Sequence, residues 1–447
     1  MRPNARIYQM LVTLPLMLLG CTTATLSPTP EPRPALSTRT TSGPLPAVRA
    51  QGTRWVLADG RPVALRGVNL GNWLLPEFWM LGYDEHATVN DLCTLHEVLD
   101  RRFGVATRER LMRLWRDNWI TERDWDLMQE FGFNLVRVPF IWNLLEDEDH
   151  PGQLRADAWH YLDWAVDQAE RRGIYVVLDL HGAVGSQGRE HHSGCAFQNL
   201  YWSRQDYQQR TSWLWAQIAQ RYRDRNAVAA YDLLNEPWGS TPEQLNGVVT
   251  ELISTIRAID PNHVILLPDH PDGNIRAYGN PQQRGWNQVA FETHPYPGFF
   301  GWGKPGLDVH RDWLRCSDGK GVCEWIDRLQ PLQTPLYIGE FQPWAQLEPE
   351  LAGKVTRASF DRYNALGWAA TAWAYKKISV SGGIDAPVNW GVVTNARGAS
   401  MPLPDWEHAP LSELEAYLTR FGTVPYAPHE PVRRWLQRGM PAPDLDR

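Results

Sequence analysis

Short apolar runs and amphipathic stretches alternate eight times between residues 66 and 375, and this alternation constrains the chain more than any other feature. The runs read as buried strands at 66–70, 134–140, 174–181, 228–235, 263–268, 288–294, 336–340 and 369–375, with 263–268 the weakest. Runs this short, bounded by glycine, proline or polar residues, suit strands covered on both faces. The stretches between them, such as 157–172 and 207–223, space apolar residues as a helix does. The pattern predicts an α/β fold, a (β/α)8 TIM barrel. Asp59-Gly60, between two alternating runs in 55–65, predicts an N-terminal β-hairpin plugging the barrel bottom. The stretch 410–421 predicts the last helix, and no separate carbohydrate-binding module is visible.

In such a barrel, chemistry belongs at the carboxyl ends of the strands. Two apolar runs end there in carboxylates. YDLLNEP (231–237) delivers Asn235 and Glu236, and Pro237 forces the chain out of the sheet. LYIGEF (336–341) delivers Glu340. Two carboxylates facing each other across one cavity are the equipment of a glycosidase, whereas one alone could merely cap a helix. Arg137 lies inside an apolar run, where an unpaired guanidinium is costly, so a carboxylate partner is expected. His181 closes the third run, His294 closes the sixth with Tyr296 just beyond it, and Trp373 lies in the eighth. The first leads into Asn69, Asn72, Trp73 and Glu77.

The ends of the chain read differently. Residues 1–20 carry Arg2 and Arg6 before an apolar run too short to span a bilayer, which reads as a secretory signal. Leu18-Leu19-Gly20-Cys21 is similar to a bacterial lipoprotein box, implying lipid on Cys21 as the only membrane contact. The expected location is the bacterial outer membrane or cell surface, otherwise periplasm or medium. Residues 21–50 are rich in proline, serine and threonine and read as a linker, leaving 51–447 as one catalytic domain. The other four cysteines are expected to pair as Cys316–Cys323 and Cys93–Cys195; no CxxC or HxxxH spacing supports a metal. A net charge of −7 with interspersed signs gives no footprint for nucleic acid. Tryptophan stands out at 23 residues, serving as core filler or as platforms for sugar rings.

With NEP at 235–237, HPY at 294–296 and GEF at 339–341, the chain resembles glycoside hydrolase family 5, the cellulase-like retaining β-glycosidases. Residues 67–79, 118–140 and 179–194 resemble its exo-β-1,3-glucanase branch; HPYPGFFGW (294–302) and GEFQPW (339–344) depart from that branch. The resemblance implies Glu236 as acid/base and Glu340 as nucleophile. It places Arg137 on the nucleophile, His181 beside the reactive subsite and Trp373 under the cleaved sugar. Tyr296 is a candidate donor to Glu340, and Asn235 a candidate for the sugar 2-hydroxyl, with His294 beside them. Trp142, Trp238, Trp302, Trp344 and Trp390 are candidate subsite residues, as are His191 and His192. The loop 297–325 is a candidate wall for one end of the cleft.

The expected function is double-displacement hydrolysis of a β-glucan, β-1,3 or β-1,4, endo or exo, by a monomer needing no metal or organic cofactor. A non-catalytic glycan-binding barrel and a transglycosylase using the same glutamates are the alternatives.

Overall fold

The computed structural model describes residues 44–83, 87–269, 275–378, 389–437 and 440–446. The signal segment, Cys21 and the linker up to residue 43 lie outside the described residues. Eight parallel strands close into a barrel: Arg66–Asn69, Leu135–Ile141, Tyr175–Gly182, Val228–Asp232, Val264–Pro268, Val289–Thr293, Leu336–Ile338 and Ala369–Ala372. They are the eight expected strands in the expected order, and the eighth closes on the first with Ala370 opposite Arg66. The second to eighth are buried along their whole length, which is why they read as continuous apolar runs rather than alternations.

The fourth strand ends three residues earlier than expected, yet the ladder carries further. The Asn235 N–H donates to Leu180 O at 3.1 Å, and Trp215 Nε1 donates to Leu233 O at 3.1 Å. Asn235 therefore still sits in register at the barrel mouth. The helix that follows, Pro242–Arg257, starts from a capping box. Thr241 Oγ1 accepts from the Gln244 N–H at 3.2 Å, and proline sits in the first turn. Its buried face is Leu245, Val248, Val249, Leu252, Ile253 and Ile256.

Three elements differ from expectation. The N-terminal hairpin pairs Val48–Gln51 with Arg54–Leu57, so all but the last residue of its first arm falls inside the stretch read as linker. Asp59-Gly60 does turn the chain, but beyond it only a single bridge joins Val56 to Pro62. Pro62 has no N–H with which to extend a ladder. Trp55 of the hairpin packs among Leu135, Tyr175, Val264 and Ala369 at the amino ends of the barrel strands, and its Nε1 donates to Leu336 O at 2.9 Å. The bottom is thus plugged as expected, by a shifted hairpin.

At the other end, helix Leu411–Thr423 is not the last. Strand Tyr426–Pro428 and helix Glu430–Leu436 follow it. That strand joins Val393–Asn395 and Lys376–Lys377 in a three-stranded sheet. Arms of two or three residues, one of them holding Pro428, are too short to show a period. Finally, much of 297–325 is helical, with Leu307–Arg315 inside it and Val322–Leu329 starting within it. Disulfides join Cys93 to Cys195 and Cys316 to Cys323, with Cα separations of 5.1 and 5.4 Å, as expected.

Candidate active site

Arg137, projecting from the second strand, is fully buried and surrounded by carboxylates at the mouth of the barrel. Its Nη1 donates to Glu340 Oε1 at 2.8 Å and its Nε to Asp232 Oδ2 at 2.8 Å. Nη2 lies 3.1 Å from Asp179 Oδ2 and donates to Asn235 Oδ1 at 2.8 Å. Glu292 Oε1 stands 3.7 Å from Nε. Burial alone would weaken the guanidinium's hold on its proton, but Asp179, Asp232, Glu292 and Glu340 more than reverse that. Burial, followed by the charge of Glu292, pushes the Asp232 carboxyl well above the carboxylate range. Arg137 thus has Glu340 and structural carboxylates as partners at once.

Glu340 is held on both oxygens, since Tyr296 Oη donates to Oε2 at 2.6 Å. Burial would raise its pKa. The charges of His294, Arg137 and His181 and the tyrosine hydrogen bond outweigh burial and bring it down to about 2. The glycine of GEF has a local reason. A Cβ on Gly339 would come within 2.1 Å of Glu292 Oε1 and 2.7 Å of His294 Nε2.

Glu236 stands at the end of the fourth strand with a φ of 39°, in the left-handed region that costs a side-chain-bearing residue about 1–2 kcal/mol. The turn is held by Gln187, whose Nε2 donates to Asn235 O at 2.8 Å and to His181 O at 2.7 Å. Two imidazoles flank the carboxyl. His294 Nδ1 is 2.9 Å from Oε1, and His192 Nε2 is 3.1 Å from Oε2. One donor atom each from Glu236, His294 and Glu340 lie within 4.8 Å of one another. Three such atoms are a possible cation seat, but hydrogen bonds to Tyr296 and Arg137 already engage Glu340, and His294 already contacts Glu236 and Glu292. All four remaining cysteines are in disulfides and offer no thiolate.

The cleft above these groups has a volume of about 960 Å³. His181, Asn235, Glu236, His294, Tyr296, Glu340 and Trp373 all line it, while Arg137 lies beneath. His181 Nδ1 bonds Asp179 Oδ2 at 2.6 Å, and its ring stacks on Trp373 at 5.6 Å and 15°. Burial lowers and Asp179 raises the His181 pKa, with a net rise. Glu77 reaches the cleft from the loop after the first strand, accepting from Trp79 Nε1 at 2.7 Å. That loop is tied down by tryptophans: Trp115 Nε1 bonds Asn72 O at 2.8 Å and Trp119 Nε1 bonds Gly71 O at 3.0 Å.

Of the candidate platforms, Trp238, Trp302 and Trp390 line the cleft, as do His191 and His192. Trp142 and Trp344 do not. Trp142 packs under Arg210, and Trp344 is buried behind Gln342, whose Oε1 takes its N–H at 3.0 Å. Sequence reading missed the cleft-lining tryptophans Trp79, Trp313 and Trp325 and the carboxylates Asp179, Asp232, Asp269 and Glu292. The signal for three of the carboxylates was present: an acid in each of VVLDLHG (Asp179), AAYDLL (Asp232) and AFETHP (Glu292) interrupts an otherwise apolar strand.

A closed parallel barrel with an ionised glutamate and a second glutamate facing it over a tryptophan-lined cleft defines a glycoside hydrolase. The family model for cellulase, glycosyl hydrolase family 5, matches residues 98–374, and the chain belongs to that family. It is 29% identical over 357 residues to a beta-xylosidase of Phanerodontia chrysosporium, covering 75% of this chain and 72% of that protein. It is 33% identical over 298 residues to a probable glucan 1,3-beta-glucosidase A of Emericella nidulans, covering 62% of this chain and 66% of that protein. The match therefore spans just under two thirds of that glucosidase. Rutinosidase from Aspergillus niger shares the fold, with a TM-score of 0.56 at 16% identity over 73% of this chain and 93% of that one.

Proposed function

We propose that the protein is a retaining β-glucanase in which Glu340 is the nucleophile and Glu236 the acid/base. The observation that carries this reading is the asymmetry of the two carboxylates. Glu340 takes hydrogen bonds from Arg137 and Tyr296 and is held ionised down to about pH 2. Among the described residues, the polar partners of the Glu236 carboxyl are the imidazoles of His294 and His192, groups able to exchange a proton with it. Their nearest oxygens lie within 4.8 Å, which favours direct attack over the wider gap that an interposed water needs.

In the first step Glu340 attacks the anomeric carbon while Glu236 gives its proton to the leaving oxygen. The ester bond removes the charge on Glu340. Glu236 then takes a proton from the incoming water as the water oxygen bonds the anomeric carbon and the ester bond to Glu340 breaks, restoring its carboxylate. Asn235, oriented by Arg137, binds the 2-hydroxyl, where a hydrogen bond tightens as the oxocarbenium character develops. Trp373, held against His181, supports the ring of the cleaved sugar.

Substrate class follows the relatives' names: a β-glucan first, with a β-xyloside as the second reading because of the xylosidase resemblance. The chain acts as a monomer, exported and tethered by lipid on Cys21. Two disulfides in the folded part support export. Azide tests the roles. Glu236→Ala with an activated β-glycoside should give a β-glycosyl azide, and Glu340→Ala the α-azide. The opposite pair of products reverses the assignment, and wild-type activity in both variants removes it. A panel of β-1,3, β-1,4 and β-1,6 glucans and xylans, with product sizing, decides linkage. Mass spectrometry of the mature amino terminus decides the lipid.

A further inference from the structure

Asp269, just beyond the fifth barrel strand, lines the cleft but has no task in the double displacement. Thr293 Oγ1 donates to its Oδ2 at 2.6 Å, and its own N–H donates to Glu292 O at 3.1 Å, so its position is fixed by the ends of two strands. Burial pushes its pKa up to about 6.

The line from Glu236 to Glu340 joins the ends of the fourth and seventh strands and divides the barrel mouth. Strands eight, one, two and three lie on one side of it, and five and six on the other. The first half is rich in groups for sugar hydroxyls, with Glu77, His181 and His191 around Trp373. It suits the sugar that is attacked. The second half presents an aromatic wall among polar groups that include Asp269, His294, Glu324 and Arg328. Trp302 and Trp313 meet edge to face at 5.6 Å, and Trp325 continues the surface under the Arg328 guanidinium at 5.1 Å. Cys316–Cys323 staples the two helices that carry Trp313 and Trp325. Trp313 is further pinned by a 2.9 Å bond from its Nε1 to Tyr363 Oη. A wall of that kind takes the apolar face of a ring, and the Asp269 carboxyl, lining the same cleft, takes a hydroxyl.

We propose that Asp269 is the specificity-determining residue of the leaving-group subsite: its carboxylate accepts a hydrogen bond from a hydroxyl of the departing sugar, whose ring packs on the Trp302–Trp313–Trp325 wall. The inference rests on the hydrolase reading above, and it separates substrates by what leaves. A departing sugar has hydroxyls to offer Asp269. A departing 4-nitrophenol fills the wall and has none.

The test measures kcat/KM of the full chain for 4-nitrophenyl β-glucoside and for the β-linked glucose disaccharide that wild type prefers. Asp269→Asn keeps the shape and an acceptor for Thr293, and Asp269→Ala removes both. The expected result is a loss of about 10- to 100-fold on the disaccharide, the scale of one hydrogen bond to a charged group, with the aryl glycoside within threefold of wild type. Equal losses on both substrates in Asp269→Asn would show that Asp269 acts through Glu236 or the fold, and would overturn the proposal. Unchanged rates on both would overturn it too. Wild type that cleaves neither substrate nor any β-glucoside defeats the functional reading itself, and this inference with it.

Discussion

Glu340 owes its ionised state to four partners, His294, Arg137, His181 and Tyr296, and Tyr296 is the one that can be removed with least disturbance. Its hydroxyl bond favours the charged carboxylate, so losing it must raise the pKa from about 2. The nucleophile then protonates at higher pH. Tyr296→Phe should therefore shift the acid limb of kcat/KM upward by about a unit. An unmoved or lowered limb would show that the tyrosine does not stabilise the charge. Arg137 is a different case, because it compensates buried carboxylates as well as the nucleophile. Arg137→Met leaves those charges unpaired and should cost about 3–5 kcal/mol of stability, read by denaturant unfolding. A loss of activity with unchanged stability would confine it to a catalytic role. The sequence showed that Arg137 needs an acid, because a guanidinium in an apolar strand is costly. It did not show that four acids converge, since their meeting depends on barrel register. The left-handed turn at Glu236 was equally hidden, for it is imposed by Gln187 from a neighbouring loop.

Among the elements, those with many residues in one period were legible, and the short ones were not. Eight strands buried on both faces leave apolar runs that composition alone exposes. The hairpin was read one arm too late because Asp59-Gly60 is a good turn signal, and nothing local records that Val48–Gln51 is the strand that Trp55's arm selects. Trp55 gives that hairpin a measurable role. It is nearly fully buried against the first residues of several strands, and its indole N–H ends on Leu336 O. Trp55→Ala should destabilise the domain by about 3–5 kcal/mol, the usual cost of emptying a large aromatic site. Thermal and urea unfolding measure it, and a change under 1 kcal/mol would mean that the plug contributes nothing to the barrel. KM in the still-folded variant should stay unchanged, because the plug lies at the end of the barrel opposite the cleft.

On the scale of the whole molecule, the layout was legible because continuous apolar runs and stretches of period 3.6 alternate in a fixed order and short right-handed connections leave one closure. Long-range covalent ties were legible only as a bet on pairing. Cys93–Cys195 is the larger of these, closing 102 residues between the helical excursion after the first strand and the loop after the third. In the chain-entropy account a loop of that size is worth about 4.7 kcal/mol, against about 2.5 kcal/mol for the short Cys316–Cys323 loop. For a domain of roughly 400 residues the unfolding entropy is about 0.8 kcal/mol per kelvin, so 4.7 kcal/mol corresponds to a Tm change of about 5–6 °C. The native contacts around the bridge do not depend on it. The Ala196 N–H donates to Asp91 Oδ2 at 2.8 Å, and Ser186 Oγ bonds both Ser193 O and Cys195 O at 3.2 Å. The loop carrying His191 and His192 therefore stays in place without the sulfurs. Replacing both Cys93 and Cys195 by alanine should lower Tm by about 5 °C and leave kcat/KM at 25 °C within twofold. A Tm drop with a large loss of activity would place the bridge in the service of the cleft, and no drop at all would show that the unfolded chain gains no freedom from its removal.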